Sequence, residues 1–177
     1  LELMSISEHT PPTEIIDGGK GLQVIGGAGF GKSTYIDALK AECDRRGLTH
    51  LSCGYSNQAA DNVDGCTIHM IKHKHRRPVD YIFVDEIGLI PEEMWRYLLA
   101  LKRTWPKAVF VLAGDFAQHK PVNDWWEGDY ANNVGLHHLC EGRRMELTVY
   151  RRGDKELGEI CTKLRRFQEI DRSFFPV

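Results

Sequence analysis

Short apolar runs alternate along the chain with longer stretches in which apolar residues recur every three or four positions. Leu22-Gln23-Val24-Ile25 reads as a strand, residues 32–46 as a helix ended by Gly47, and residues 49–55 as a second strand. Tyr81-Ile82-Phe83-Val84 is apolar throughout, as expected of a strand covered on both faces. Pro91 opens a further helix: Glu92 and Glu93 suit its positive end, and Met94, Tyr97, Leu98 and Leu101 form its apolar face. Residues 108–113, 136–140 and 146–150 read as three more strands, 154–167 as a helix, and the Trp-, Asp- and Asn-rich stretch 123–135 as a loop. Residues 5–20 carry Thr10-Pro11-Pro12-Thr13 and Gly18-Gly19 and lack sustained periodicity, so they read as a loosely held arm with a short helix around 14–17. The alternation predicts an α/β fold with a mostly parallel sheet, in one domain over residues 21–177 behind an arm over 1–20.

Composition narrows the class. A chain of 177 residues suits one domain, and 42% apolar with 27% charged residues is an ordinary globular balance. No run approaches the ~18–20 apolar residues of a membrane-spanning helix, and no signal pattern opens the chain, so no membrane partner is expected. The expected location is intracellular: cytoplasm or nucleus, or the host cell for a viral protein. Lys plus Arg number 23 against 25 Asp plus Glu, so a nucleic-acid surface must be a local patch. The five cysteines are odd in number and include no C-x-x-C pair, which argues for reduced thiols and against a disulfide framework or structural zinc. The apolar end Phe174-Phe175-Pro176-Val177 and the start at Leu1 suggest a fragment of a longer protein.

The strongest chemical signal is Gly26-Gly27-Ala28-Gly29-Phe30-Gly31-Lys32-Ser33-Thr34, which fits G-x-x-x-x-G-K-[ST] between a strand and a helix. Its glycines allow successive N–H groups to turn inward around phosphates at the helix start. Lys32 is placed for the β- and γ-phosphates and the Ser33 hydroxyl for Mg²⁺. A phosphate loop of this kind needs a second metal carboxylate at a neighbouring strand tip, and Asp85 and Glu86 end the run 81–84. Asp85 suits the metal, and Glu86 suits the general base that deprotonates the attacking water. In Gly114-Asp115-Phe116-Ala117-Gln118 a carboxamide at Gln118 can bond both a γ-phosphate oxygen and that water; taken alone the stretch is a strand followed by a polar turn.

In order, Ser56-Asn57-Gln58-Ala59-Ala60, Thr67-Ile68-His69, Val84-Asp85-Glu86, Gly114-Asp115 with Gln118 and Pro121-Val122, and Leu147-Thr148-Val149-Tyr150-Arg151 follow the phosphate loop. This series resembles the first motor domain of superfamily 1 helicases, in the Pif/RecD-like branch, over residues 21–166. The resemblance implies a RecA-like P-loop NTPase fold of three α/β/α layers, ATP and Mg²⁺ as cofactors, and replicative or repair-type helicase activity of 5′ to 3′ polarity. It gives Lys32, Glu86, Gln118 and Arg151 catalytic roles, residues 26–34 the nucleotide, and Ser33 and Asp85 the metal. Arg151 would offset γ-phosphate charge; its alternative is one of a solvated Arg151-Arg152 pair. Ser56, Asn57, Thr67 and His69 would touch the backbone of single-stranded nucleic acid, DNA more readily than RNA, unless Ser56 and Thr67 merely cap helices. Lys72 and Lys74 belong to the basic run Lys72-His73-Lys74-His75-Arg76-Arg77, a phosphate-binding strip or a solvated loop. Trp125-Trp126 offers stacking or, more commonly, packing.

Three departures from the family stand out. The expected partner, a second RecA-like domain, does not fit in the residues after Arg166, so weak activity is expected of this chain alone. Only fifteen residues separate His69 from Asp85, where the family inserts its strand-separating element. Residues 5–19 contain no Gln for adenine recognition. Two other classes compete: a nucleotide-gated P-loop binding or scaffold module without turnover, and a small P-loop kinase, which the order of Gln118 and Arg151 disfavours.

Overall fold

The computed structural model describes residues 3–57, 65–115 and 134–149. Among them are seven strands: β1 (Met4–Ile6), β2 (Leu22–Ile25), β3 (His50–Gly54), β4 (Cys66–Thr67), β5 (Tyr81–Val84), β6 (Val109–Gly114) and β7 (Arg143–Glu146). They form one sheet in the order β1-β7-β2-β6-β5-β3-β4, and every neighbouring pair is parallel. The helices are α1 (Pro12–Gly18), α2 (Lys32–Arg45), α3 (Ile71–Lys74), α4 (Glu92–Thr104) and α5 (Val134–Leu139), with 3₁₀ turns at Ile68–Met70 and Ile87–Leu89.

A parallel sheet buries both faces, and the alternation of side chains along each strand sorts them into two cores. On one face Val24, Phe83, Val111 and Ala113 meet Ile15 and Ile16 of α1 and Ile36, Leu39 and Cys43 of α2. On the other, Ile82, Val84, Phe110 and Leu112 meet Ile71 of α3, Met94, Trp95, Leu98 and Leu101 of α4, and Leu136 and Leu139 of α5. The result is the three-layer α/β/α arrangement of RecA-like P-loop NTPases. Burying one such large side chain stabilises the fold by roughly 1.5–3 kcal/mol, so the stripe on α4 is what holds that helix on the sheet.

From β2 the chain crosses past β6 and β5 to reach β3, and after β6 it crosses back to β7 on the opposite side. The boundary between β2 and β6 is therefore a switch point, where a crevice opens at the carboxyl ends of the strands. Register places Ile25 level with Gly114, and Val84 level with Leu112. The loops after β2, β5 and β6 thus leave the sheet side by side.

The structure corrects several expectations. Residues 5–20 are not a loose arm: β1 pairs with β7, and Ile15 and Ile16 of α1 are buried against α2. Arg46 adds an ion pair to Asp17 of α1 and donates to the Thr13 carbonyl. The stretch 136–140 is mainly the helix α5, because Leu136, Leu139 and Cys140 are all buried at a spacing of three and four, which is helical. The strand expected over 146–150 is instead β7, which begins after the turn at Glu141 and Gly142, both left-handed. The short β4 and α3 carry too little pattern to be read from sequence. The loop 123–135 lies outside the described residues except for its last two, which begin α5, and the helix over 154–167 lies outside them entirely.

Four cysteines, Cys43, Cys53, Cys66 and Cys140, are buried and free, as expected of small apolar thiols. Among the described residues no helix is long and apolar enough to cross a membrane.

Candidate active site

The loop after β2 turns into α2 through two left-handed glycines, Gly29 with φ 83° and Gly31 with φ 90°. Gly31 is the residue from which α2 starts, and a side chain there would be strained. Phe30 between them is 2% exposed and buries its ring in the core on the α1–α2 face, anchoring the loop to the sheet. No acid stands in the first turn of α2, so its positive end is left to an anion. Lys32 folds back across the loop, where its Nζ donates to the carbonyls of Gly26 at 2.5 Å and Gly27 at 3.1 Å. Ala28, Ser33 and Thr34 are exposed.

Asp85 and Glu86 follow β5. Glu86 adopts the left-handed region, φ 51° and ψ 45°, unusual for a residue with a side chain. Its N–H donates to the Asp85 Oδ1 at 2.9 Å, and its carbonyl accepts from Leu89 N–H at 2.9 Å, so the turn is fixed by its own hydrogen bonds. Gly114 at the end of β6 closes this arrangement: a Cβ there would stand 2.7 Å from Ile87 Cγ1 and 2.9 Å from Ile87 N. Only glycine lets the turn after β5 lie so close to β6. Burial raises the pKa of the Glu86 carboxyl, and the neighbouring Asp85 charge adds to the rise.

Lys32, Ser33, Asp85, Glu86, Gly114 and Asp115 line one cleft of about 970 Å³. The hydroxyl of Ser33 and the carboxylate of Asp85 are hard oxygen donors lining the same cleft, a pair that suits Mg²⁺ retaining most of its waters. The structure thus brings together the expected phosphate, metal and base residues. It also extends the cleft along α2 to Asp37 and Lys40 and onto β3 at His50 and Ser52, which sequence reasoning did not single out. The signal was present: Ser33, Ile36, Asp37 and Lys40 follow helical spacing, and all four line the cleft.

Gln118 and Arg151 lie outside the described residues, as does the tryptophan pair. Ser56 and Asn57 are exposed just beyond β3, Thr67 ends β4 and His69 is exposed in the 3₁₀ turn that follows, so these four share the carboxyl edge of the sheet. Thr67 starts that turn without a side-chain capping hydrogen bond. The basic run is not one continuous strip: Lys72 sits over the Tyr97 ring at 5.9 Å, whereas Lys74 lines the cleft.

The AAA domain family matches residues 13–169 of the chain. Among solved structures, the Pif1 helicase from Candida albicans is 19% identical with a TM-score of 0.73, covering 91% of this chain and 44% of that one. Bacteroides Pif1 bound to ssDNA is 18% identical with a TM-score of 0.68, covering 92% and 46%. AMPPCP-bound DnaA from Aquifex aeolicus is 17% identical with a TM-score of 0.53, covering 92% and 52%. The chain therefore spans about half the length of the Pif1 chains it matches. No curated protein matches it by sequence.

Proposed function

Since the chain belongs to the AAA domain family, we propose that it is the ATP-hydrolysing motor domain of a superfamily 1 helicase of the 5′ to 3′ type, coupling turnover to movement on single-stranded nucleic acid. The observation that carries this reading is the meeting of Lys32 and Ser33 with Asp85 and Glu86 in one cleft. Such a set binds a nucleoside triphosphate and supplies both a metal site and a base. A likeness to Bacteroides Pif1 bound to ssDNA and to DnaA bound to AMPPCP supports both ligands.

In this reading Lys32 exchanges its two loop carbonyls for phosphate oxygens when nucleotide enters. Ser33 and Asp85 would hold Mg²⁺, which would supply positive charge beside the phosphate oxygens. Glu86 accepts a proton from the attacking water as the bond to the ADP oxygen breaks; its raised pKa makes it a better proton acceptor than an ordinary carboxylate. Gln118 and Arg151 contact the γ-phosphate, and a second RecA-like domain closes the site from the other side. Ser56, Asn57, Thr67 and His69 hold the strand, DNA in preference to RNA.

The test is steady-state ATP hydrolysis by the full-length protein with and without single-stranded oligonucleotide. Stimulation by the oligonucleotide is expected. Tight nucleotide binding with no hydrolysis under either condition would replace this reading with the scaffold module.

A further inference from the structure

The close approach of Gly114 to Ile87 has a reciprocal one position further along the facing turn. A Cβ at Gly88 would stand 2.6 Å from the backbone carbonyl oxygen of Asp115. Each segment thus presents a glycine where the other presents backbone, and the 3₁₀ turn Ile87–Leu89 and the end of β6 interlock at two adjacent points. Gly88 is buried and its φ lies outside the left-handed region, so its missing side chain answers the contact and not the backbone conformation. The same strand end holds the phosphate loop on its other side, where the Gly114 carbonyl accepts from Gly26 N–H at 3.1 Å. Behind the turn, Ile87 and Ile90 are fully buried in the core, and Ile90 N–H donates to the Ile87 carbonyl at 3.3 Å. The turn is therefore one hydrogen-bonded unit that begins at Glu86 and is seated between β6 and the core.

We propose that Gly88 is a positioning residue for Glu86: its bare backbone lets the turn seat on the Asp115 carbonyl and so sets how far the Glu86 carboxylate stands from the phosphate loop. The inference rests on the general-base role given to Glu86 above. A methyl at position 88 needs a van der Waals contact of about 3.4 Å where the turn leaves 2.6 Å. The strand end has little room to yield, because Gly114 is paired in register with Ile25, its carbonyl is bonded to Gly26, and Asp115 is itself buried. The displacement therefore falls on the turn, and Glu86 moves with it. A misplacement of about 1 Å between a base and its water can cost on the order of 10²-fold in rate. Lys32 and the phosphate loop follow β2, across β6 from the turn, and keep their hold on nucleotide. The loss should thus appear in kcat and leave nucleotide affinity unchanged.

The experiment compares Gly88→Ala, Glu86→Gln and the double variant in the full-length protein. It measures kcat and KM for ATP with saturating single-stranded oligonucleotide, single-turnover rates with protein in excess, and the affinity for a fluorescent ADP. Gly88→Ala is expected to lower kcat about tenfold to 10²-fold with ADP affinity kept within about twofold. Glu86→Gln is expected to lower the single-turnover rate on the order of 10²–10⁴-fold, and the double variant to match it, because a base that is absent cannot be misplaced. Gly18→Ala, where an added Cβ meets nothing within 4 Å, should keep the full rate. Gly114→Ala enters the same interlock from the strand side, should lower kcat without a further loss beside Glu86→Gln, and serves if Gly88→Ala does not fold. Losses that multiply in the double variant, or an ADP affinity that falls along with kcat, would make Gly88 merely structural and overturn the inference. A normal rate for Gly88→Ala, with Glu86→Gln slow, would overturn it while sparing the functional reading. A full rate for Glu86→Gln would overturn the role of Glu86 and this inference together.

Discussion

Helices α2 and α4 both start at the carboxyl edge of the sheet, yet their first turns are built in opposite ways. In α4, Pro91 leads into Glu92 and Glu93, whose charges satisfy the positive helix end, and Arg96 pairs with Glu92 one turn later at 2.8 Å. In α2 the entry is the left-handed Gly31, the first turn has no acid, and Lys32 and Ser33 face the cleft. One helix closes its own electrostatics; the other leaves them open. An unsatisfied helix start is tolerable where a ligand supplies the missing negative charge, so the contrast supports placing the proposed nucleotide at α2 and not at α4.

Removing the cation from the open helix gives the largest effect: Lys32→Ala should lower kcat for ATP on the order of 10²–10³-fold, measured by steady-state hydrolysis. Gly31→Ala forces a side chain into the left-handed entry and should cost about 1–2 kcal/mol of stability by denaturant melting. Converting α2 towards the α4 pattern sharpens the comparison. Thr34→Glu should weaken nucleotide affinity roughly fivefold, the equivalent of about 1 kcal/mol, while the free helix gains a few tenths of a kcal/mol. The reverse change on α4, Glu92→Gln with Glu93→Gln, should cost about 0.3–1 kcal/mol per residue in the same melts and leave nucleotide affinity unchanged.

This contrast was largely legible in the amino-acid sequence, because it depends on residues close together along the chain. Tyr81–Val84 is a strand of the expected length since four apolar residues admit only a buried position, and Lys32–Arg45 ends at the expected glycine turn. Longer-range features were harder to see. β1 has only three residues, and Met4 is 60% exposed, so its place in the sheet comes from pairing with β7. The pattern over 136–140 mixes His137 and His138 into an apolar run, and only packing against α4 shows that Leu136, Leu139 and Cys140 form one helix face. In the candidate site, the cluster of Lys32, Ser33, Asp85 and Glu86 followed from strand-end chemistry. The close approach of Gly114 to Ile87 did not, because it joins segments that only the fold brings together.

The most direct test of the account is Glu86→Gln in the full-length protein, with single-strand-stimulated ATP hydrolysis and nucleotide affinity measured side by side across pH. Hydrolysis should fall to background while affinity stays within about twofold, since the amide keeps the size of the side chain and loses only the proton acceptor. In the unaltered protein Glu86 must be ionised to act. Because burial and Asp85 raise its pKa, the acid side of the rate profile should fall at a pH above the ordinary carboxylate value of about 4.3. Undiminished turnover in Glu86→Gln would contradict the central claim that this carboxylate takes the proton from the attacking water.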